Sequence, residues 1–237
     1  MIPKIIHYCW LSGDPYPPLV LHCIESWKKK LPDYEIILWD KDRIDINSIL
    51  WLKQAYECKK YAFAADYIRF YALYNYGGIY LDADVEVIKS FNPLLDYKEF
   101  VGEDASGDIE AAVIGAEKNA PWLKECLEYY TDRPFVKANG TLDMKPVPLL
   151  VRRVLSKYPE IKIYPFQYFS PKDYNVKKIF ITNDTYCVHH FDGKWIKRGI
   201  KYSLKITVHK ILYLFFGREI HNSIVHKIRK ITKRGIY

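Results

Sequence analysis

The chain has 237 residues, 49% of them hydrophobic and 16% aromatic, which suffices for one substantial core and excludes wholesale disorder. Five cysteines (Cys9, Cys23, Cys58, Cys126, Cys187) lie scattered without a Cys-x-x-Cys pair, a pattern that argues against a disulfide frame or a zinc site and for reduced thiols in a cytoplasm. The net charge of +8 is a property of one end. Residues 196–237 hold eleven Lys or Arg and one acid, giving +10, whereas residues 1–195 hold 25 and 27, giving −2. We therefore expect a near-neutral body, 1–195, and a basic tail, 196–237. A strand-like run opens the sequence at once and no 18-residue apolar span follows, so the expectation is a protein that is neither exported nor membrane-spanning.

Lys4 to Trp10, rich in Ile and aromatic residues, reads as a first strand, with His7 inside it as a core or hydrogen-bonding histidine. Ser12 to Pro18 is a loop, and Leu19 to Leu31 an amphipathic helix whose end carries Lys28, Lys29 and Lys30, as suits the helix dipole. Glu35 to Trp39 is a second strand. Tyr61 to Tyr76 has helical character and only two charges, Asp66 and Arg69, which lie three apart on one face. They are either an internal ion pair of a core or a carboxylate and guanidinium aimed at sugar hydroxyls and phosphate oxygens. Gly77 stops the helix.

The centre of the chain is Gly77-Gly78-Ile79-Tyr80-Leu81-Asp82-Ala83-Asp84-Val85-Glu86. A short apolar run of this kind reads as a buried strand, and the carboxyl ends of such strands are where open α/β sheets bind ligands. Asp82 and Asp84 follow there, one residue apart. Two neighbouring carboxylates ionise cheaply only beside a cation, and hard oxygen ligands suit Mg²⁺ or Mn²⁺ shared with a substrate's phosphates. Alternating strands and helices over the first 85 residues give the α/β class.

Beyond the pair, Val85 to Pro93 reads as a strand leading to a turn. Phe100 to Ala116 contains Glu103, Asp104, Asp108 and Glu110, acids that face either solvent or, as the family resemblance described below implies, a reacting sugar. Ala120 to Thr131 and Pro148 to Tyr158 are helices, 132–148 a polar loop between them, and Lys162 to Phe169 an aromatic strand. Tyr186 to His190 is a last strand, with Trp195 five residues on.

Ala64-Ala65-Asp66-Tyr67-Ile68-Arg69, then Leu73 to Val85, resembles the sugar-binding region of glycosyltransferases that carry the Asp-x-Asp motif. The similarity is to family 32, which includes yeast-type mannosyltransferase relatives, bacterial capsule transferases and, more distantly, the glucosylating clostridial toxins. Ile2 to Trp10, Ser26-Trp27 and Pro32 to Ile36 fall in the expected order, so the likeness covers about residues 1–130 and extends to 186–195. It implies a GT-A-like, Rossmann-type mixed sheet flanked by helices, and retaining transfer from a nucleotide sugar. Carried over residue by residue, it places a Mn²⁺ or Mg²⁺ ion on Asp82, Asp84 and His190. The donor then contacts Trp10, Asp66, Arg69, Tyr80, Asp82 and Trp195, with Asp66, Arg69, Asp84 and Trp195 as the catalytic set. His190 is preferred to His189 by its spacing to Trp195. Lys194 stands where the family commonly has Ser, and it either takes over there as a phosphate contact or points to water.

In the tail, Ile211 to Phe216 is apolar, and Ile220, Ile224, Val225, Ile228 and Ile231 recur at helical spacing opposite Lys227, Arg229, Lys230, Lys233 and Arg234. Such a helix lies in a membrane interface or packs on the body; nucleic acid lacks any reader motif here. The resulting expectation is a cytoplasmic hexosyltransferase held on the anionic inner face of the cell membrane. It moves a hexose, UDP-linked in first preference and GDP-linked in second, to a lipid-linked surface glycan. A nucleotidyltransferase-type enzyme and a non-catalytic membrane-associated scaffold are the competing readings.

Overall fold

Strand β1 (Ile5–Cys9), helix α1 (Pro18–Lys30), strand β2 (Glu35–Trp39), helices α2 (Leu50–Glu57) and α3 (Tyr61–Tyr76) and strand β3 (Gly78–Leu81) follow one another in the first third of the chain. Then come β4 (Val85–Val87), β5 (Glu99–Glu103), β6 (Ile109–Ala116), α4 (Pro121–Glu128), α5 (Val147–Leu155), β7 (Lys162–Tyr164), α6 (Phe166–Phe169), β8 (Lys172–Asp173), β9 (Lys178–Ile179) and β10 (Cys187–His189). This computed structural model describes residues 1–173 and 178–193, and in the tail positions 208–209, 211–215, 217, 220 and 223–224.

Six strands form one sheet in the order β2-β1-β3-β6-β5-β7. β1 runs parallel to β2 and β3, whereas β6 is antiparallel to β3 and β5. The expected mixed, GT-A-like α/β sheet is present, and its direction changes between β3 and β6. Each face of the sheet is covered. Trp51, Phe63, Phe70, Trp122 and Phe135 belong to the core on the α2–α5 side. Trp27, Phe91, Phe100 and Phe169 belong to the core that α1, β4 and α6 close.

Helix α3 is buried along most of its length, which explains its nearly uncharged sequence: a helix apolar all round belongs inside. It ends where predicted. Gly77 and Gly78 take φ of 67° and 108°, and a Cβ would lie 2.8 Å from the Lys118 amide nitrogen and 2.6 Å from the Ile5 carbonyl oxygen, respectively. No side chain fits at either position. One element differs from its sequence reading. The aromatic strand expected over Lys162–Phe169 stops at Tyr164, because Pro165 has no N–H for the ladder and opens the short helix α6.

His7 ties the helix–strand junction to the sheet. Its Nδ1 accepts a hydrogen bond from Trp39 Nε1 (3.1 Å), so its Nε2–H donates to the Gly77 carbonyl (2.8 Å). Burial lowers its pKa to about 4, with the Gly77 bond opposing. The unfolded chain's histidine protonates near 6.5, so this contribution to stability is complete above that pH, falls as pH drops, and levels off below about 4. The shift corresponds to about 3 kcal/mol. In urea titrations the stability gap between the natural protein and His7→Gln should therefore narrow by up to that amount between pH 7 and pH 4. A gap that stays constant would show that His7 takes up its proton as easily as an unfolded histidine.

Candidate functional site

The site lies at the carboxyl ends of β1 and β3, beside the change of sheet direction. Asp82 leaves β3 with its N–H donating to the Ala112 carbonyl on β6 (2.9 Å), and its own carbonyl accepts from Val85 N–H (3.0 Å). That tight turn presents Asp82 and Asp84 together. Helix α1 then clamps β4: Trp27 Nε1–H donates to the Val85 carbonyl (2.6 Å), and Val87 N–H donates to Ser26 Oγ (2.9 Å). The Ser26-Trp27 pair thus holds the strand that follows the two aspartates.

Strand β10 pairs antiparallel with β4 and sets His189 opposite Val85. His189 Nε2 is 3.4 Å from Asp84 Oδ1, and Nδ1 is 3.6 Å from Glu110 Oε2. One ligand atom each from Asp82, Asp84 and His189 lies within 4.8 Å of the others. Two carboxylates and an imidazole at this spacing fit a divalent cation with mixed oxygen and nitrogen ligands, Mn²⁺ more readily than Mg²⁺. Among the described residues the buried His189 Nδ1 makes no hydrogen bond of ordinary length, and Glu110 Oε2 at 3.6 Å is the carboxylate oxygen that faces it.

Asp66 and Arg69 adjoin this group from α3. Arg69 Nη2 donates to Asp66 Oδ1 (2.9 Å) and reaches Asp82 Oδ1 at 3.4 Å, while Nη1 donates to the Ala111 carbonyl (2.6 Å). Its guanidinium lies 4.8 Å from the centre of the Tyr80 ring. Burial pushes the Asp66 carboxyl up to about 7, against the pull of Arg69, and raises Asp82 as well, again with Arg69 opposing. Asp84 behaves oppositely. Burial would raise it, but His189 and the Asp192 N–H (2.8 Å) hold it below the usual carboxylate range. For His189 burial disfavours the charged form, yet Asp84 and Glu110 outweigh it and keep the imidazole well above its ordinary value.

Of the residues singled out in the sequence, Asp66, Arg69, Asp82 and Asp84 come together. His190 does not join them. Its Nε2 bonds Glu86 Oε2 (2.9 Å), and His22 approaches the other Glu86 oxygen (3.2 Å). Alternation along the strand sends successive side chains to opposite faces, and the β4 register puts His189, not His190, on the aspartate side. Tyr80 is 1% exposed, and its ring supports Arg69, which leaves no face for a nucleoside. Trp10 follows β1, half-buried, with Nε1–H donating to the Asp14 carbonyl (2.8 Å) and its ring edge-on to Tyr16. Asp104 caps the β5–β6 turn, accepting from the N–H groups of Ser106 and Asp108. Trp195 lies outside the described residues. Two residues that the sequence reading did not choose, His189 and Glu110, stand beside Asp66, Arg69, Asp82 and Asp84 instead.

Residues 17–101 match the family model described as a glycosyltransferase sugar-binding region containing DXD motif. Inositol phosphoceramide mannosyltransferase 3 of Schizosaccharomyces pombe is 34% identical over 126 residues, which are 52% of this chain and 35% of that protein. An uncharacterized glycosyltransferase, L373, of Acanthamoeba polyphaga mimivirus is 26% identical over 219 residues, 82% of this chain and 84% of that one. The chain spans about a third of the length of the curated mannosyltransferases it matches. Among solved structures, the PaToxG glycosyltransferase superposes with a TM-score of 0.50 at 21% identity, covering 66% of this chain and 69% of that one, a likeness of fold.

Proposed function

From the membership of residues 17–101 in the family of glycosyltransferase sugar-binding regions containing the DXD motif, we propose that the protein is a metal-dependent, retaining hexosyltransferase acting on a nucleotide-sugar donor. The observation that carries this reading is the convergence of Asp82, Asp84 and His189 with the Asp66–Arg69 pair at the end of β3. Asp82, Asp84 and His189 would hold the cation, with His190 bracing Glu86 beside them. A divalent ion there supplies charge that offsets the departing diphosphate. Asp66 and Arg69 grip the donor's sugar and phosphate oxygens, Trp10 stacks on the base, and Trp195 closes over the donor and excludes water. Asp66 is already engaged by Arg69, which favours attack on the same face of the sugar over a covalent enzyme intermediate.

The acceptor is proposed to be a hydroxyl of a lipid-linked surface glycan, with the enzyme peripheral on the inner face of the membrane. No helix among the described residues is long and apolar enough to cross a membrane. The described tail positions include Leu214 and Phe215, 79% and 74% exposed, within a segment of net charge +10. Apolar side chains displayed on a basic segment support docking to an anionic lipid surface. Co-sedimentation with phosphatidylserine vesicles should exceed that with neutral ones and fall as salt rises, since the Debye length is about 8 Å at physiological ionic strength. Equal binding to both vesicles would overturn the docking.

Thermal unfolding with UDP-glucose, UDP-galactose and GDP-mannose, each with and without Mn²⁺, tests the activity class. A donor at a hundred times its Kd stabilises the native state by about 2.7 kcal/mol. At least one donor should raise the melting temperature only when Mn²⁺ is present, and EDTA should reverse the rise. No shift with any nucleotide sugar would favour a non-catalytic scaffold.

A further inference from the structure

Strand β6 is irregular where it passes the site. Its register with β5 runs Glu103↔Ile109 and Gly102↔Glu110, then resumes at Val101↔Ile114, so residues 111–113 bulge opposite a single link of β5. Bulges re-aim side chains and backbone groups, often beside active sites. Here three consecutive residues each meet a different member of the site. Ala112 accepts from Asp82 N–H, Ala111 accepts from Arg69 Nη1, and Glu110 turns its carboxylate to His189.

The Glu110 carboxylate is fixed in place. Oε1 accepts the Ala112 N–H at 3.0 Å, which leaves Oε2 directed at His189 Nδ1, 3.6 Å away. The side chain is 13% exposed, against 10% for His189 and 17% for Asp84, so water competes weakly for these contacts. On the opposite side of the imidazole, Nε2 faces Asp84 Oδ1. An imidazole ligates a cation only through a nitrogen that carries no proton, and an acceptor at the far nitrogen decides which one that is. A carboxylate in that place also fixes the ring's orientation.

We propose that Glu110 is a positioning residue for the cation site, accepting the Nδ1–H of His189 and so presenting Nε2 toward Asp84 and the bound ion. This inference rests on the metal-dependent reading above. It adds a fourth residue, Glu110, which acts through His189 and does not touch the ion. The same bulge that supports Arg69 and Asp82 from the backbone thereby sets the third ligand.

The test is Mn²⁺ affinity of the full-length protein without donor, measured by titration calorimetry and by the electron-spin signal of free Mn²⁺. Glu110→Gln keeps the acceptor for Ala112 N–H and should weaken Mn²⁺ binding roughly 10- to 100-fold. Glu110→Asp keeps the charge but withdraws the carboxylate by one methylene, and should also weaken binding. In a His189→Ala background Glu110→Gln should add less than about threefold, because the residue through which it acts is gone. Wild-type affinity in both Glu110 variants would overturn the proposal. So would a Glu110→Gln loss that persists undiminished without His189, since that would make Glu110 a charge contribution independent of the imidazole. Full affinity in Glu110→Asp alone would likewise reduce its role to net charge. Absence of Mn²⁺ binding by the natural protein would overturn the metal reading itself, and this inference with it.

Discussion

Asp84→Asn is expected to lower donor turnover at least about a thousandfold, a loss of about 4 kcal/mol of transition-state stabilisation, while the protein stays folded. Asp84 is the aspartate nearest His189, and it is held ionised by that imidazole and by the Asp192 N–H. Asparagine preserves the shape and one acceptor but removes the charge that a divalent ion needs. The structure also changes what this substitution does to the metal-free protein. From sequence, two adjacent carboxylates look like a source of repulsion that removing one would relieve. In the fold each has its own cationic partner, Arg69 for Asp82 and His189 for Asp84, both at 3.4 Å. Removing the Asp84 charge therefore costs stability, on the order of 1–3 kcal/mol, and relieves nothing. Steady-state rates with saturating Mn²⁺, beside melting curves with EDTA, separate the two effects. Turnover that survives in Asp84→Asn, or in the natural protein with chelator, would sink the metal assignment.

Local signals carried most of what the sequence made legible. Gly77 and Gly78 announced a junction that only glycine fits, and the near absence of charge in α3 announced its burial. The carboxyl end of β3 was found from an apolar run followed by acids. What stayed hidden depends on pairing between distant segments. His189 meets Asp84 because β10 aligns with β4 about a hundred residues earlier, a register that spacing to Trp195 does not report. Glu110 was visible as one acid among several, and only the bulge in β6 distinguishes it from the turn-capping Asp104. Tyr80 was misread for a different reason. The family resemblance set it against the donor, yet β3 is buried on both faces and the Tyr80 ring, 1% exposed, lies under Arg69.

Arg69→Lys is the other large effect, and it should appear in activity and stability together. The two sequence readings, core ion pair or donor grip, describe one residue: Arg69 is 4% exposed and also reaches the candidate metal ligand Asp82. Its planar fork serves Asp66, Asp82 and the Ala111 carbonyl at once and stacks over Tyr80. A lysine offers a compact charge that cannot meet three acceptors in those directions, so turnover should fall at least about tenfold. Disrupting a buried pair on one side costs about 3–5 kcal/mol when the other charge is stranded. Asp66 limits that cost in acid. With Arg69 present its pKa already stands at about 7, above the unfolded value of 3.8, so ionising it opposes folding as pH rises between these values. Weakening its partner raises it further. The stability gap between the natural protein and Arg69→Lys should accordingly be small near pH 5.5, where Asp66 is protonated in both, and widen toward pH 8. Urea titrations at the two pH values, paired with donor kinetics, read this directly. A gap independent of pH would mean that Asp66 does not depend on Arg69 for its charge. Wild-type turnover in the lysine variant would remove Arg69 from the donor site and leave it as a core ion pair alone.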